Sequence, residues 1–390
     1  MKEIEELAVR AESLVLFRRL NENETFGALR ALLKTGSAAC YVQLCAALYA
    51  QGGDLTDTLT EAVLDDENEY LLRAARGESV PKVMRDALQE ELSTLQALCT
   101  LESAALKAAF SLPAFLPDYE THPQDLAALY HTRLARAPKD GYGVFARHRA
   151  FLMRDGALCP VKAPDPVRLE DLPGYEAERQ KVIDNTRALL AGLPANNVLL
   201  YGDAGTGKSS TIKAVLNEFA PEGLRLVEIK KHQLYQLPSL LDELAMNPLK
   251  FILFIDDLSF TQNDDNFAAL KAILEGSVSA AGRNTLVYAT SNRRHLIKEC
   301  FSQRDGDDLH ESDTREELRS LSARFGLTVT FSRPEKELYL QIVRHLAEKK
   351  GLTADAALET RAEAFALRAG ARSPRVAKQF IDGINAIPAQ

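Results

Sequence analysis

Between positions 202 and 209 the chain reads Gly202-Asp203-Ala204-Gly205-Thr206-Gly207-Lys208-Ser209, with the apolar run Val198-Leu199-Leu200-Tyr201 before it and a helix-forming stretch after it. A strand, a glycine-rich turn and a helix in that order constrain the chain to a parallel α/β core. The glycines permit backbone turns that bulkier residues resist, so successive N–H groups can point at one anion, beside the positive end of the helix. This is a phosphate-cradling loop for a nucleoside triphosphate. Lys208 is expected to reach the β- and γ-phosphates and the Ser209 hydroxyl to ligate Mg²⁺, with Ser210 completing the phosphate-binding set.

Five short apolar runs recur at Asn197 to Tyr201, Leu224 to Ile229, Phe251 to Ile255, Thr285 to Ala289 and Leu327 to Phe331. Longer amphipathic segments separate them, which predicts a parallel five-stranded sheet with helices on both faces. Residues 1–158 read as an α-helical domain, because Leu88, Leu92, Leu95 and Cys99 line one helix face and turn signals divide the rest. Pro160, Pro164 and Pro166 mark residues 159–168 as a linker. The α/β core then occupies 169–334. Residues 335–390 carry no strand pattern and break at Gly351 and Gly370, as a small helical domain would.

The 390 residues suit two or three domains, and 46% hydrophobic with 26% charged residues is ordinary for a globular protein. No stretch is apolar enough to span a bilayer, and the start Met1-Lys2-Glu3-Ile4-Glu5-Glu6 is too acidic for a signal peptide, so a cytoplasmic protein without a membrane partner is expected. Five scattered cysteines show no zinc or disulfide spacing. A net charge of −8 excludes a global basic field for nucleic acid, although a local basic groove stays open. The aromatic and basic cluster from Gly141 to Phe151 reads as packing rather than as such a groove.

The third run ends in Asp256-Asp257. A carboxylate at the tip of a neighbouring parallel strand holds Mg²⁺ in P-loop proteins, which suits Asp256, and Asp257 is then placed to polarise an attacking water. The same doublet also suits a helix cap. Asn292, at the end of the fourth run, can orient that water or touch the γ-phosphate. Arg324, before the fifth run, reads as a finger for a neighbouring subunit's nucleotide, with Arg319 and Arg315 as weaker candidates. Arg375, at a helix start marked by Pro374, reads either as folded back onto the phosphates or as a solvated arginine. The acidic run from Gln303 to Glu317 reads as a solvated loop.

This set, in this order, resembles the AAA+ ATPases over residues 167–390: P-loop, Walker B strand, sensor 1 Asn292, arginine finger Arg324 and sensor 2 Arg375. Leu169-Glu170-Asp171-Leu172-Pro173-Gly174-Tyr175 and Tyr288-Ala289-Thr290-Ser291-Asn292-Arg293-Arg294-His295-Leu296 are more closely similar to a bacterial family of ATP-binding proteins known only as a domain of unknown function. The resemblance implies an AAA+ core with a C-terminal helical lid, and Gly174 and Tyr175 packed on the adenine. It implies ATP and Mg²⁺ as ligands, ADP as product, and a homo-oligomer in which Arg324 acts on the next subunit. It also implies remodelling of a protein or nucleic-acid client. Most AAA+ ATPases carry Glu where this chain has Asp257, and the doublet Asp256-Asp257 is similar to that of helicase-loader and transposition-helper relatives. That departure keeps a second reading open, an ATP-dependent binding switch or DNA-associated loader with negligible turnover, supported by Asp257 and the Arg293-Arg294 pair. A small-molecule kinase fits less well, since it leaves Arg324, Arg375 and the terminal helices without a role.

Overall fold

A computed structural model describes residues 2–154, 156–245, 247–259, 270, 271, 274, 284–292 and 324–384. Contacts divide the chain into two compact units, 1–147 and 148–390.

The first unit is helical. Among the described residues its α-helices are α1 (Lys2–Glu12), α2 (Glu24–Thr35), α3 (Ala38–Tyr49), α4 (Leu55–Asp65), α5 (Glu69–Ala75), α6 (Lys82–Cys99), α7 (Ser103–Ala109), α8 (Leu126–Asp140) and α9 (Val144–Arg147). The side chains of Asn23, Ser37, Asp54, Asn68 and Asp125 cap α2, α3, α4, α5 and α8 by accepting a first-turn N–H, which fixes where each helix starts. The stripe of Leu88, Leu92, Leu95 and Cys99 on α6 is buried in the core with Phe17, Phe26, Leu29, Tyr41 and Tyr130. On the same helix the buried Glu91 carboxylate accepts the backbone N–H groups of Val15, Leu16 and Phe17, so a charge inside the bundle is held by three donors. Asp66, after α4, is also buried; it accepts from Asn68 Nδ2, and burial raises its carboxyl pKa to about 6.

The second unit is α/β. Its elements are β1 (Ala150–Arg154), β2 (Ala157–Pro160), α10 (Glu176–Leu190), β3 (Val198–Gly202), α11 (Lys208–Phe219), β4 (Leu224–Glu228), α12 (Leu237–Ala245), β5 (Lys250–Ile255), β6 (Thr285–Ser291), β7 (Leu327–Phe331), α13 (Lys336–Lys349), α14 (Ala356–Arg368) and α15 (Pro374–Ile384). Among the described residues the sheet has seven strands in the order β2-β1-β4-β5-β6-β3-β7, all parallel except β2. Every residue of β6 is buried, as expected for a central parallel strand covered on both faces.

Two expectations about this region need revising. The five-stranded sheet gains a hairpin, because Ala150–Arg154 pairs with β4 and then with Ala157–Pro160. That hairpin spans the end of the segment read as helical and the start of the one read as a linker, and it moves the start of the α/β unit from 169 back to 148. Phe151 of the aromatic cluster is accordingly fully buried in the sheet. The proline-rich segment does not run free either: Pro160 ends the edge strand, where its missing N–H is harmless, and Asn217 Nδ2 on α11 donates to the carbonyls of Asp165 and Val167.

The three last helices follow β7 through Ser332-Arg333-Pro334-Glu335 and pack on one another, with Tyr339 Oη donating to the Ala362 carbonyl across them. Cys40, Cys45, Cys99 and Cys159 are free thiols. Among the described residues no helix is long and apolar enough to cross a membrane.

Candidate active site

The C-terminal ends of β3, β5 and β6 carry the residues that the sequence singles out. Register puts Ile255 opposite Ala289 and Tyr201 opposite Ser291, so Gly202, Asp256 and Asn292 emerge at the same edge of the sheet. Ligands bind at that edge in open α/β sheets. The Asp256 strand is not the immediate neighbour of the P-loop strand, however, because β6 is inserted between them. The insertion places Thr290 and Asn292 between Lys208 and the aspartates.

The P-loop turn has a strict backbone requirement at Gly202. It sits at φ 137°, and a Cβ there would lie 2.0 Å from the Phe331 carbonyl oxygen. Only glycine allows β7 to approach so closely. Gly205 and Gly207 also have positive φ, and Thr206, almost fully buried, donates to the Asp203 carbonyl at 2.9 Å to close the loop. Gly207 caps α11, whose first residues are Lys208, Ser209 and Ser210, so the free N–H groups of that helix start face the loop. Ala204 lies at the turn between them.

Lys208 is buried, and its ammonium donates three hydrogen bonds: to the Gly202 carbonyl at 2.9 Å, the Asp203 carbonyl at 2.8 Å and Asn292 Oδ1 at 3.0 Å. Three donors meet three acceptors. Burial pulls its pKa below the usual lysine value, opposed by Asp203, Asp256 and Asp257 nearby. Asn292 Nδ2 in turn donates to Asp257 Oδ1 at 2.8 Å. One continuous chain therefore links Lys208, Asn292 and Asp257.

A second chain runs beside it. Ser209 Oγ donates to Asp256 Oδ1 at 2.7 Å, and Thr290 Oγ1 donates to the same oxygen at 2.5 Å. Ser209 and Asp256 fit a magnesium ion. Both offer hard oxygen donors, and among the described residues the Asp256 carboxylate keeps its second oxygen, Oδ2, free of hydrogen bonds beside the Ser209 hydroxyl. Asp257 has φ 52°, a left-handed conformation that only a few residue types accept.

Arg375 is also brought to the loop. Its N–H donates to the Gly205 carbonyl at 3.2 Å, and a Cβ on Gly205 would lie 3.0 Å from Arg375 Cβ and 3.2 Å from Ser373 Oγ. The preceding Arg372 holds Glu363 with a two-pronged pair at 2.7 and 2.9 Å, which fixes the turn into α15.

Arg324 is not brought to this site. It precedes β7, whose first residue pairs with the first residue of β3, whereas the P-loop follows the last. Four strand steps at ~3.3 Å put the guanidinium's backbone at least roughly 13 Å from its own P-loop, at the other end of the sheet. Gly174 and Tyr175 form the left-handed entry to α10; a Cβ on Gly174 would meet Leu338 at 2.8 Å. Tyr175 is buried, its ring 5.3 Å from Phe331 and its hydroxyl donating to the Ser332 carbonyl at 2.6 Å. It pins the start of the C-terminal helices to the core rather than standing open as a platform. A cleft of about 460 Å³ opens beside Leu172 and Pro173, lined also by Glu176, Arg179, His345 and Glu348, but by no P-loop residue. Arg293, Arg294, His295, Arg315, Arg319 and the acidic run from Gln303 to Glu317 lie outside the described residues.

Sequence reasoning passed over two residues here, Thr290 and Ser373, and gave Asp203 only a place in the phosphate loop. Thr290 shares a strand face with Asn292 two places on, which is the signal that could have found it. Asp203 accepts the Arg333 N–H at 3.0 Å, with the Arg333 guanidinium 3.9 Å from its other oxygen, and its own N–H donates to the Phe331 carbonyl at 3.2 Å. Ser373 lies over Gly205. The contacts of Asp203 and Ser373 cross the chain by more than 100 residues, and no local pattern announces them.

Residues 146–387 match the model of a family described as "Protein of unknown function (DUF815)". No curated protein matches the chain. Among solved structures, a RuvB point mutant from Thermotoga maritima aligns at 16% identity and a TM-score of 0.39, over 57% of this chain and 65% of that one. The chain thus spans less than two thirds of that structure's length.

Proposed function

The chain belongs to the DUF815 family of proteins of unknown function, a membership that names no reaction, and from its residues we propose that it is a magnesium-dependent ATPase of the AAA+ type. The observation that carries this reading is the unbroken hydrogen-bonded chain from Lys208 through Asn292 to Asp257, beside the Ser209–Asp256 pair. It joins a phosphate-binding lysine, a polar sensor and a carboxylate base at one edge of a parallel sheet.

The P-loop N–H groups and Lys208 bind the triphosphate, the lysine exchanging its carbonyl and Asn292 acceptors for phosphate oxygens. Magnesium held by Ser209 and Asp256 would neutralise charge on the β- and γ-phosphates. Asp257 accepts the proton of the attacking water, and Asn292 orients that water. Arg375, already against Gly205, approaches the phosphates from the C-terminal helices, and Arg324 serves the nucleotide of the next subunit. ATP turnover in such an oligomer remodels a protein or nucleic-acid client that the N-terminal helical unit selects.

Nucleotide binding and phosphate release test this directly. Lys208→Ala abolishes ATP binding, whereas Asp257→Asn binds ATP without turnover. Unchanged ATPase activity in both variants would sink the assignment. A binding switch with negligible turnover is the second reading, favoured by the short Asp257 side chain already tied to Asn292. Turnover that rises steeply with protein concentration supports the enzyme, and single-stranded DNA stimulation supports a loader.

A further inference from the structure

We infer that Thr290 is a positioning residue whose one hydroxyl sets both aspartates of the site, Asp256 for the metal and Asp257 for the attacking water. The inference rests on the magnesium-ATPase reading and deepens it.

Thr290 lies on β6, between the P-loop strand and the aspartate strand, and is 2% exposed. A hydroxyl carries one proton and two acceptor pairs, while an ionised carboxylate only accepts. The direction of each bond is therefore fixed by chemistry. Thr290 Oγ1 donates its proton to Asp256 Oδ1 at 2.5 Å and accepts the Asp257 N–H at 2.9 Å.

The threonine backbone acts on the same turn. Its carbonyl accepts the Leu258 N–H at 2.7 Å, so the peptide groups on both sides of Asp257 are held by one residue, once through its side chain and once through its main chain. Asp257 between them has φ 52°. Left-handed backbone at a non-glycine residue persists only where its surroundings impose it, and these two bonds are what impose it here. The result aims the Asp257 carboxylate at Asn292.

On Asp256 the consequence is one of orientation. Oδ1 receives both Ser209 and Thr290, and among the described residues no hydrogen bond reaches Oδ2. Two donors on one oxygen hold the carboxylate plane still while its other oxygen stays open to a cation. Partners that orient a ligand in this way affect metal affinity and rate although they touch neither metal nor substrate. Valine has the shape of threonine and suits a buried strand equally well, so the hydroxyl alone separates this role from simple packing.

Thr290→Val and Thr290→Ser are compared with the wild-type full chain by three readouts. The first is hydrogen exchange at the Asp257 amide in nucleotide-free protein; the second is Mn²⁺ affinity by paramagnetic resonance with a non-hydrolysable ATP analogue; the third is kcat and KM for ATP. For Thr290→Val the Asp257 amide exchanges ~5- to 10-fold faster, and Mn²⁺ affinity and kcat each fall ~10- to 100-fold. ATP affinity in EDTA stays at the wild-type level, because the P-loop is untouched. Thr290→Ser restores all three. If valine prevents folding, Thr290→Ala carries the same expectations. Wild-type Mn²⁺ affinity and kcat in a folded variant without the hydroxyl overturn the inference, as does a well-folded Thr290→Ser that remains impaired. A wild-type protein that neither binds nor hydrolyses ATP refutes the ATPase reading itself, whatever Thr290 does.

Discussion

The left-handed conformation of Asp257 makes a stability prediction that can be separated from loss of the carboxylate. Asp257→Ala and Asp257→Gly both delete the side chain and its bond to Asn292, so that loss cancels between them. What remains is φ 52°. Holding alanine there costs ~1–2 kcal/mol, against ~0.5–1 kcal/mol of extra backbone entropy that glycine loses on folding. The glycine variant is therefore expected to be more stable by roughly 1 kcal/mol. For a unit the size of 148–390 that difference corresponds to about 2–4 °C in Tm. Differential scanning calorimetry of the full chain reads it in the transition that ATP shifts upward, since only the nucleotide-binding unit gains that stabilisation. Both variants should fail to turn over ATP. An alanine variant that melts at or above the glycine variant would refute the claim that strain is stored at this residue.

Two further outcomes follow from other parts of the chain. Arg324→Ala lowers turnover ~10³-fold or more with ATP affinity retained, and mixing it with the equally inactive Lys208→Ala recovers activity, because each supplies what the other lacks; no recovery on mixing argues against action on a neighbouring subunit. Asp66 gives the helical unit a pH dependence: burial raises its pKa in the folded state to about 6, above the unfolded value, so the folded chain holds the proton more tightly. Its contribution is full below about pH 4 and is lost as pH rises to about 6, by up to roughly 3 kcal/mol. Urea unfolding should show that fall in wild type and a flatter profile in Asp66→Asn, and equal slopes would refute the assignment.

The site residues legible in the sequence were those set by local chemistry. Gly202, Gly205, Gly207 and Lys208 are read from their spacing with the apolar run before them and the helix after them, because a phosphate loop is a contiguous turn. Asp256 and Asn292 are read from their position at the ends of apolar runs. What was not legible depends on which strands become neighbours. The order that inserts β6 between β3 and β5 makes Thr290 a partner of Asp256 across 34 residues, and periodicity carries no strand order. The β1–β2 hairpin was missed for a different reason. Phe151-Leu152-Met153 is a short run that directly follows a helical segment, and its one hairpin signal is the Asp155-Gly156 dipeptide after it.

The joint between the sheet and the last three helices is gripped from two sides. Asp203 bonds to Phe331 and Arg333 on either side of Ser332, whose carbonyl receives Tyr175 Oη. A joint held at three consecutive residues is stiff, and a stiff joint acts as a fulcrum. Fourteen residues of α13 form an arm ~20 Å long. Because the joint is stiff, a tilt of the loop and joint together by ~10° would sweep the far end of that arm by roughly 3.5 Å. Events at the scale of one phosphate group would in this way become displacements as large as a side chain.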